Sequence, residues 1–160
     1  MTIRLQTAQA TDIPNSQFSE ISVYDRNWSA TLPSKHRDVI FRTNASPTYN
    51  CHGLTFAAHR TRIPDPASIA VILKDDRYML IKEHRDVKPG DVVIYYENDG
   101  DPSHSGIVLE NVPPVLVEDI PPVYNPLILS KWGSAGEAIH YLRDVPLVYG
   151  QNHQFFRCEL

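Results

Sequence analysis

Residues 87–110, VKPGDVVIYYENDGDPSHSGIVLE, decide the fold. Pro89-Gly90 is a turn signal, and it leads into VVIYYE, residues 92–97. That run is rich in β-branched and aromatic residues, the composition of a strand. NDGDPS reads as a loop, and HSGIVLE, residues 104–110, as a second strand. Two such runs across a short loop form an antiparallel hairpin, with Gly100 helping the turn.

Working outward, the chain before the hairpin reads as helical. Asn50 is a good helix cap, and Leu54, Ala57 and Ala58 make an apolar stripe, so a helix is expected from Asn50 to about Arg62. DPASIAVILKDD, residues 65–76, reads as a second helix, capped by Asp65 with Pro66 in its first turn. Residues 1–46 read as irregular structure holding one short strand, DVIFRT, and Ser46-Pro47 marks a turn. After the hairpin, NVPPVLVEDIPPVYNP reads as an irregular surface excursion because of its prolines. LILSKWG looks like a third strand, SAGEAIHYLRDVP a short helix or loop, and HQFFRCEL a C-terminal strand. Helices first and an antiparallel sheet later is an α+β order. The expected division is one domain over 1–160, with 1–46 an N-terminal extension of a 47–160 core.

Composition narrows the function classes. The chain is 42% hydrophobic and 21% charged, ordinary for a globular domain, and its net charge is −4 without a basic run. Neither a nucleic acid nor an anionic membrane is an expected partner. No stretch approaches the roughly 20 apolar residues of a spanning helix. MTIRLQTAQATDIPNSQF lacks an apolar signal core, so a cytoplasmic protein is expected, with signal-independent export left open. The two cysteines, Cys51 and Cys158, are expected as thiols. No CxxC pair suggests zinc, and no cofactor is expected.

The candidate chemistry lies in YNCHGLTF, residues 49–56. A cysteine attacks as its thiolate, which a helix N-terminus and a neighbouring imidazole both favour. Cys51 follows the cap directly, and Gly53 would let a substrate backbone come close. The plainer reading is a small buried hydrophobe. His104 opens the second hairpin strand, where it could project into a cleft or end as a loop histidine. His52 and His59 would share a helical face and could bind a metal with His104. The usual helical pair is four residues apart, however, so no metal site is expected.

NCHGLTF resembles the nucleophile motif of NlpC/P60-type cysteine peptidases, where Asp-Cys-Ser-Gly begins the central helix. The 87–110 stretch resembles that superfamily's next block: a Pro-Gly-Asp turn, an apolar strand, a loop, then His-x-Gly-Ile. The match covers about residues 46–112. It implies a papain-like fold, helices on a small antiparallel sheet, with Cys51 as nucleophile and His104 as general base. Asn50 stands where the family has aspartate, and His52 where it has serine. The family's third polar residue would orient the imidazole; His140 and Ser130 are rival candidates. Tyr49 is a candidate second oxyanion donor beside the Cys51 amide, and Asn50 a candidate substrate contact. Trp132 is expected in the core. The activity implied is hydrolysis of an amide in a cell-wall-type peptide, with a peptidoglycan fragment as the peptide partner. A bacterial recycling enzyme, a phage-type product or a delivered toxin would fit. The alternatives are an acyltransferase or deamidase on the same site, or a catalytically silent binding domain.

Overall fold

The computed structural model describes residues 1–159. It is a mixed α+β fold built on one seven-stranded antiparallel sheet. The strands are β1 (Ile40–Phe41), β2 (Tyr78–Ile81), β3 (Val92–Tyr96), β4 (Pro102–Glu110), β5 (Leu127–Lys131), β6 (Glu137–Tyr141) and β7 (Asn152–Cys158). Their order is β1-β6-β5-β4-β3-β7-β2. The helices are α1 (Val23–Lys35), α2 (Cys51–Phe56) and α3 (Pro66–Asp75).

The hairpin is β3 and β4, in register from Val92↔Ile107 to Tyr95↔His104, with a shift beyond Tyr95. β3 is central and covered on both sides, which is why VVIYY is a continuous apolar run. Val92 and Ile94 pack with Ile63, Ile69 and Ile72 in the layer that carries α3. Val93 and Tyr95 face the other way, into a cluster with Val108, Ile128, Leu142 and Phe155. Alternation along one strand thus feeds two cores. The Pro-Gly-Asp turn is locked by Asp91, which is 3% exposed. Its carboxylate accepts from the Lys88 amide at 2.6 Å and from Arg157 Nε and Nη2 on β7 at 2.8 and 2.7 Å.

Several sequence expectations need correction. α2 ends at Phe56 and not near Arg62, because Ala58 and His59 take positive φ and turn the chain back. The returning Thr61 carbonyl then lies against Gly53, where a Cβ would sit 1.8 Å from it. Gly53 is therefore demanded by packing rather than by a substrate. Within SAGEAIHYLRDVP, expected as a short helix or loop, EAIHY forms β6, held between β1 and β5. Its Ala and Glu favour helices, and pairing on both edges overrides that preference. Residues 1–46 contain α1, capped by Ser22, whose hydroxyl accepts from the Asp25 amide at 3.0 Å. That helix lacks an apolar stripe and contains Pro33; only Leu32 is buried. The edge strand β2 has no sequence reading. The C-terminal strand is β7, with Leu160 outside the described residues.

The N-terminal segment is anchored to the core. Ile13 is buried in the helix-side cluster, and Thr7 and Thr11 hydroxyls donate to Asp75 at 2.8 and 2.6 Å. The proline-rich excursion is irregular, as expected, apart from a Val117↔Ile120 bridge. Among the described residues no helix is long and apolar enough to cross a membrane.

Candidate active site

Asn50 fixes the start of α2. Its Oδ1 accepts from the Gly53 and Ile63 amides at 2.9 and 3.1 Å, and its Nδ2 donates to the Ile63 carbonyl at 2.9 Å. Three of the four hydrogen-bonding positions of the amide are thus used in joining the helix start to the segment after it, which leaves it little to offer a substrate. Cys51 follows, 6% exposed, as a free thiol; Cys158 is also free.

Around the Cys51 sulfur lie the polar backbone groups of Ser105, His52 and Cys51 itself, and Arg62 adds a positive charge. All four favour the thiolate. Burial opposes them and wins, pushing the thiol up to about 11. α2 packs against β4 through Ser105, which follows His104.

The faces of β4 then matter. Ser105 pairs with Ile94 on the helix side. Its Oγ lies 2.8 Å from His52 Nδ1 and 2.9 Å from Thr55 Oγ1, both on α2. His104 pairs with Tyr95 and so points to the opposite face. There its ring stacks on Tyr149, 4.0 Å between centroids and 12° between planes. The imidazole is completely buried, and neither ring nitrogen has a hydrogen-bond partner among the described residues. Burial holds its pKa well below the ordinary value, with His140 and His52 adding to the effect. No hydrogen bond joins Cys51, on α2, to His104, which points to the face of β4 away from Ser105 and its α2 partners. The resting groups are a neutral thiol and a neutral imidazole, not the ion pair that the sequence suggested.

His140 and Ser130 are partners rather than rivals. The His140 Nδ1 lies 2.8 Å from the Tyr141 carbonyl, which can only accept, so Nδ1 carries the proton. Nε2 then accepts from the Ser130 hydroxyl at 2.7 Å, and Trp132 Nε1 donates to the same oxygen at 3.0 Å. This closed chain leaves nothing for His104, so neither residue orients it here. Burial lowers the His140 pKa to about 4. Trp132 is fully buried, as expected.

Tyr49 is also committed elsewhere. Its hydroxyl donates to Glu137 Oε1 at 2.7 Å, and burial raises its pKa. Glu137, 4% exposed, also meets His59 Nε2 at 3.2 Å and Arg42 Nε at 3.4 Å. Facing it across the sheet, Lys131 is fully buried and donates to the carbonyls of Ser46, Gly133 and Ala135. Its ammonium lies 4.9 Å from the Tyr49 ring centroid. Lys131 and Glu137 tie the segment before Cys51 to β5 and β6, and sequence reasoning passed over both. The available signal was a lone charge inside each of two apolar runs, LILSKWG and GEAIHY. His59, beyond the end of α2, shares no helical face with His52. Among the described residues no group of three or more His, Cys, Asp or Glu is placed to hold a metal ion.

No family model matches the chain, and no curated protein or solved structure matches it significantly.

Proposed function

We propose that this chain is a papain-like cysteine hydrolase of NlpC/P60 type that cleaves an amide bond in a cell-wall-type peptide. One observation carries the reading. A completely buried histidine with two unsatisfied ring nitrogens lies on β4 beside Ser105, whose hydroxyl meets His52 and Thr55 on the helix that Cys51 begins. A buried polar group without partners is destabilising and calls for an explanation, and a catalytic role supplies one.

The chemistry follows from the neutral resting pair. Cys51 Sγ attacks the amide carbonyl carbon while a His104 nitrogen accepts the thiol proton as general base. His104 gives that proton to the departing amine nitrogen, leaving a thioester on Cys51. Water then attacks the thioester, His104 takes a proton from it, and the carboxylic acid leaves as the proton returns to sulfur. For the first step His104 must leave its stack on Tyr149 and turn toward α2.

A specific observation favours a second reading, a binding domain without turnover: the thiol is sealed and its pKa is raised. Incubation with purified peptidoglycan fragments, followed by mass spectrometry, separates the two. The hydrolase yields two products whose summed mass exceeds the substrate by one water. Cys51→Ala abolishes them, and His104→Ala lowers the rate by about 10²–10⁴-fold with circular dichroism unchanged. Fragments that bind but stay intact, or products that persist in Cys51→Ala, would falsify the hydrolase.

A further inference from the structure

A second feature lies on the helix side of the sheet, apart from the thiol. Between α3 and the β3–β4 loop is a cleft of about 400 Å³. That is within the roughly 300–1,000 Å³ of small-ligand sites. Ile69, Leu73 and Tyr96 give it apolar walls, and Asp65 and Asp101 are its charged residues. Among the described residues no basic side chain lines it. The Asp65 carboxylate is held in place by capping α3, accepting from the Ala67 amide at 3.0 Å and the Ser68 hydroxyl at 3.2 Å. The Asp101 carboxylate makes no hydrogen bond or ion pair within the chain among the described residues. Glu97 and Asp99 in the same loop deepen the negative potential. Gly100 turns the loop at φ +91°, and nothing lies within 4 Å of where its Cβ would be, so the space above it is open.

We propose that this cleft binds a basic side chain of a peptide, with its aliphatic stem against Ile69, Leu73 and Tyr96 and its cation between Asp65 and Asp101. The match is one of charge and shape together. A lysine or arginine side chain has an apolar stem and a charged head, and this cleft offers apolar walls beside carboxylates alone. The cleft ends at Pro102, the first residue of β4. The site needs no catalysis at the thiol.

The test uses the full chain carrying Cys51→Ala, so binding is read without turnover. Three probe peptides, acetyl-Ala-Lys-Ala-amide and its norleucine and glutamate counterparts, are titrated while backbone amide resonances are followed by NMR. The lysine peptide is expected to shift Ala70, Leu73, Gly100 and Asp101. Norleucine, which keeps the stem but lacks the charge, should bind about fivefold more weakly, and glutamate more weakly still. Asp101→Asn should weaken lysine binding to the norleucine level. Asp65→Asn should do the same with the helix intact, because asparagine caps as well as aspartate. Equal binding of lysine and norleucine overturns the proposal. So do shifts confined to other regions, or none up to about 10 mM peptide. Because no step depends on the thiol, a failed hydrolase assay leaves this result standing, and the reverse also holds.

Discussion

At Cys51 the opposing influences can be ranked. Burial pulls toward the thiol, nearby polar backbone and the Arg62 charge pull toward the thiolate, and burial prevails at about 11. At pH 7 only about one sulfur in 10⁴ is then ionised. Cys158 is exposed on β7, its thiol donating to the Asp76 carbonyl at 3.2 Å. Iodoacetamide is therefore expected to label Cys158 first at pH 7, with Cys51 slower by at least about 10²-fold. The Cys51 rate should still be climbing above pH 9. Peptide mapping of a labelling time course from pH 6 to 10 checks this. A Cys51 rate that levels off below pH 8 would show that the proton is already on His104. Cys51 was legible in sequence because it opens α2, and His104 was placed on the right strand, although β4 begins two residues earlier, at Pro102. Their facing was not legible. A one-residue step along β4 decides whether His104 or Ser105 meets α2, and the register shift beyond Tyr95 sets that step. A bulge of this kind leaves little trace in composition. The third residue was misjudged for a related reason: Ser130 and His140 lie ten residues apart in sequence, and pairing of β5 with β6 puts them in one hydrogen bond.

At the scale of elements, the hairpin was readable because two strand-like runs flank a short glycine loop, so local preference and tertiary structure agree. α3 was readable for the same reason, with Asp65 and Pro66 marking its start. α2 and β6 were misread where packing overrides preference. The return of Thr61 onto Gly53 shortens α2, and two strand partners hold β6 extended. That account of α2 has a measurable consequence. In Gly53→Ala the new Cβ would lie 1.8 Å from the Thr61 carbonyl and 3.1 Å from the Tyr49 Cβ. Both neighbours are close to the backbone, so the helix or the returning loop must move. A substitution that would stabilise an ordinary helix is instead expected to destabilise this protein by about 1–3 kcal/mol. The midpoint of urea unfolding reads it, and an unchanged or raised midpoint would mean that the glycine is not held by that contact.

For the whole molecule, the two-sided sheet buries three imidazoles, His52 and His140 on opposite faces and His104 beside Tyr149. Burial lowers His52 and His140 to about 4, and His104 well below the ordinary value. In the unfolded chain each would titrate near 6.5. Above that pH the folded and unfolded states carry the same charge at these positions, and nothing is lost. As pH falls from about 6.5 toward 4 the unfolded chain takes up protons that the folded chain refuses, so stability falls. Each of His52 and His140 accounts for about 3 kcal/mol over that window. Two such losses are comparable with the total stability of a typical domain, about 5–15 kcal/mol. Urea midpoints at pH 7, 5.5 and 4.5 should therefore fall steeply, with a slope near 4 kcal/mol per pH unit while all three contribute. His140→Gln removes one titrating group and should flatten the slope by about a third, whatever it does to stability at pH 7. A profile level from pH 7 to 4.5 would contradict the burial of these rings as neutral groups. The same result would remove the unsatisfied His104 on which the hydrolase reading stands, because an imidazole protonated at pH 5 in the folded chain must already have solvent or a partner.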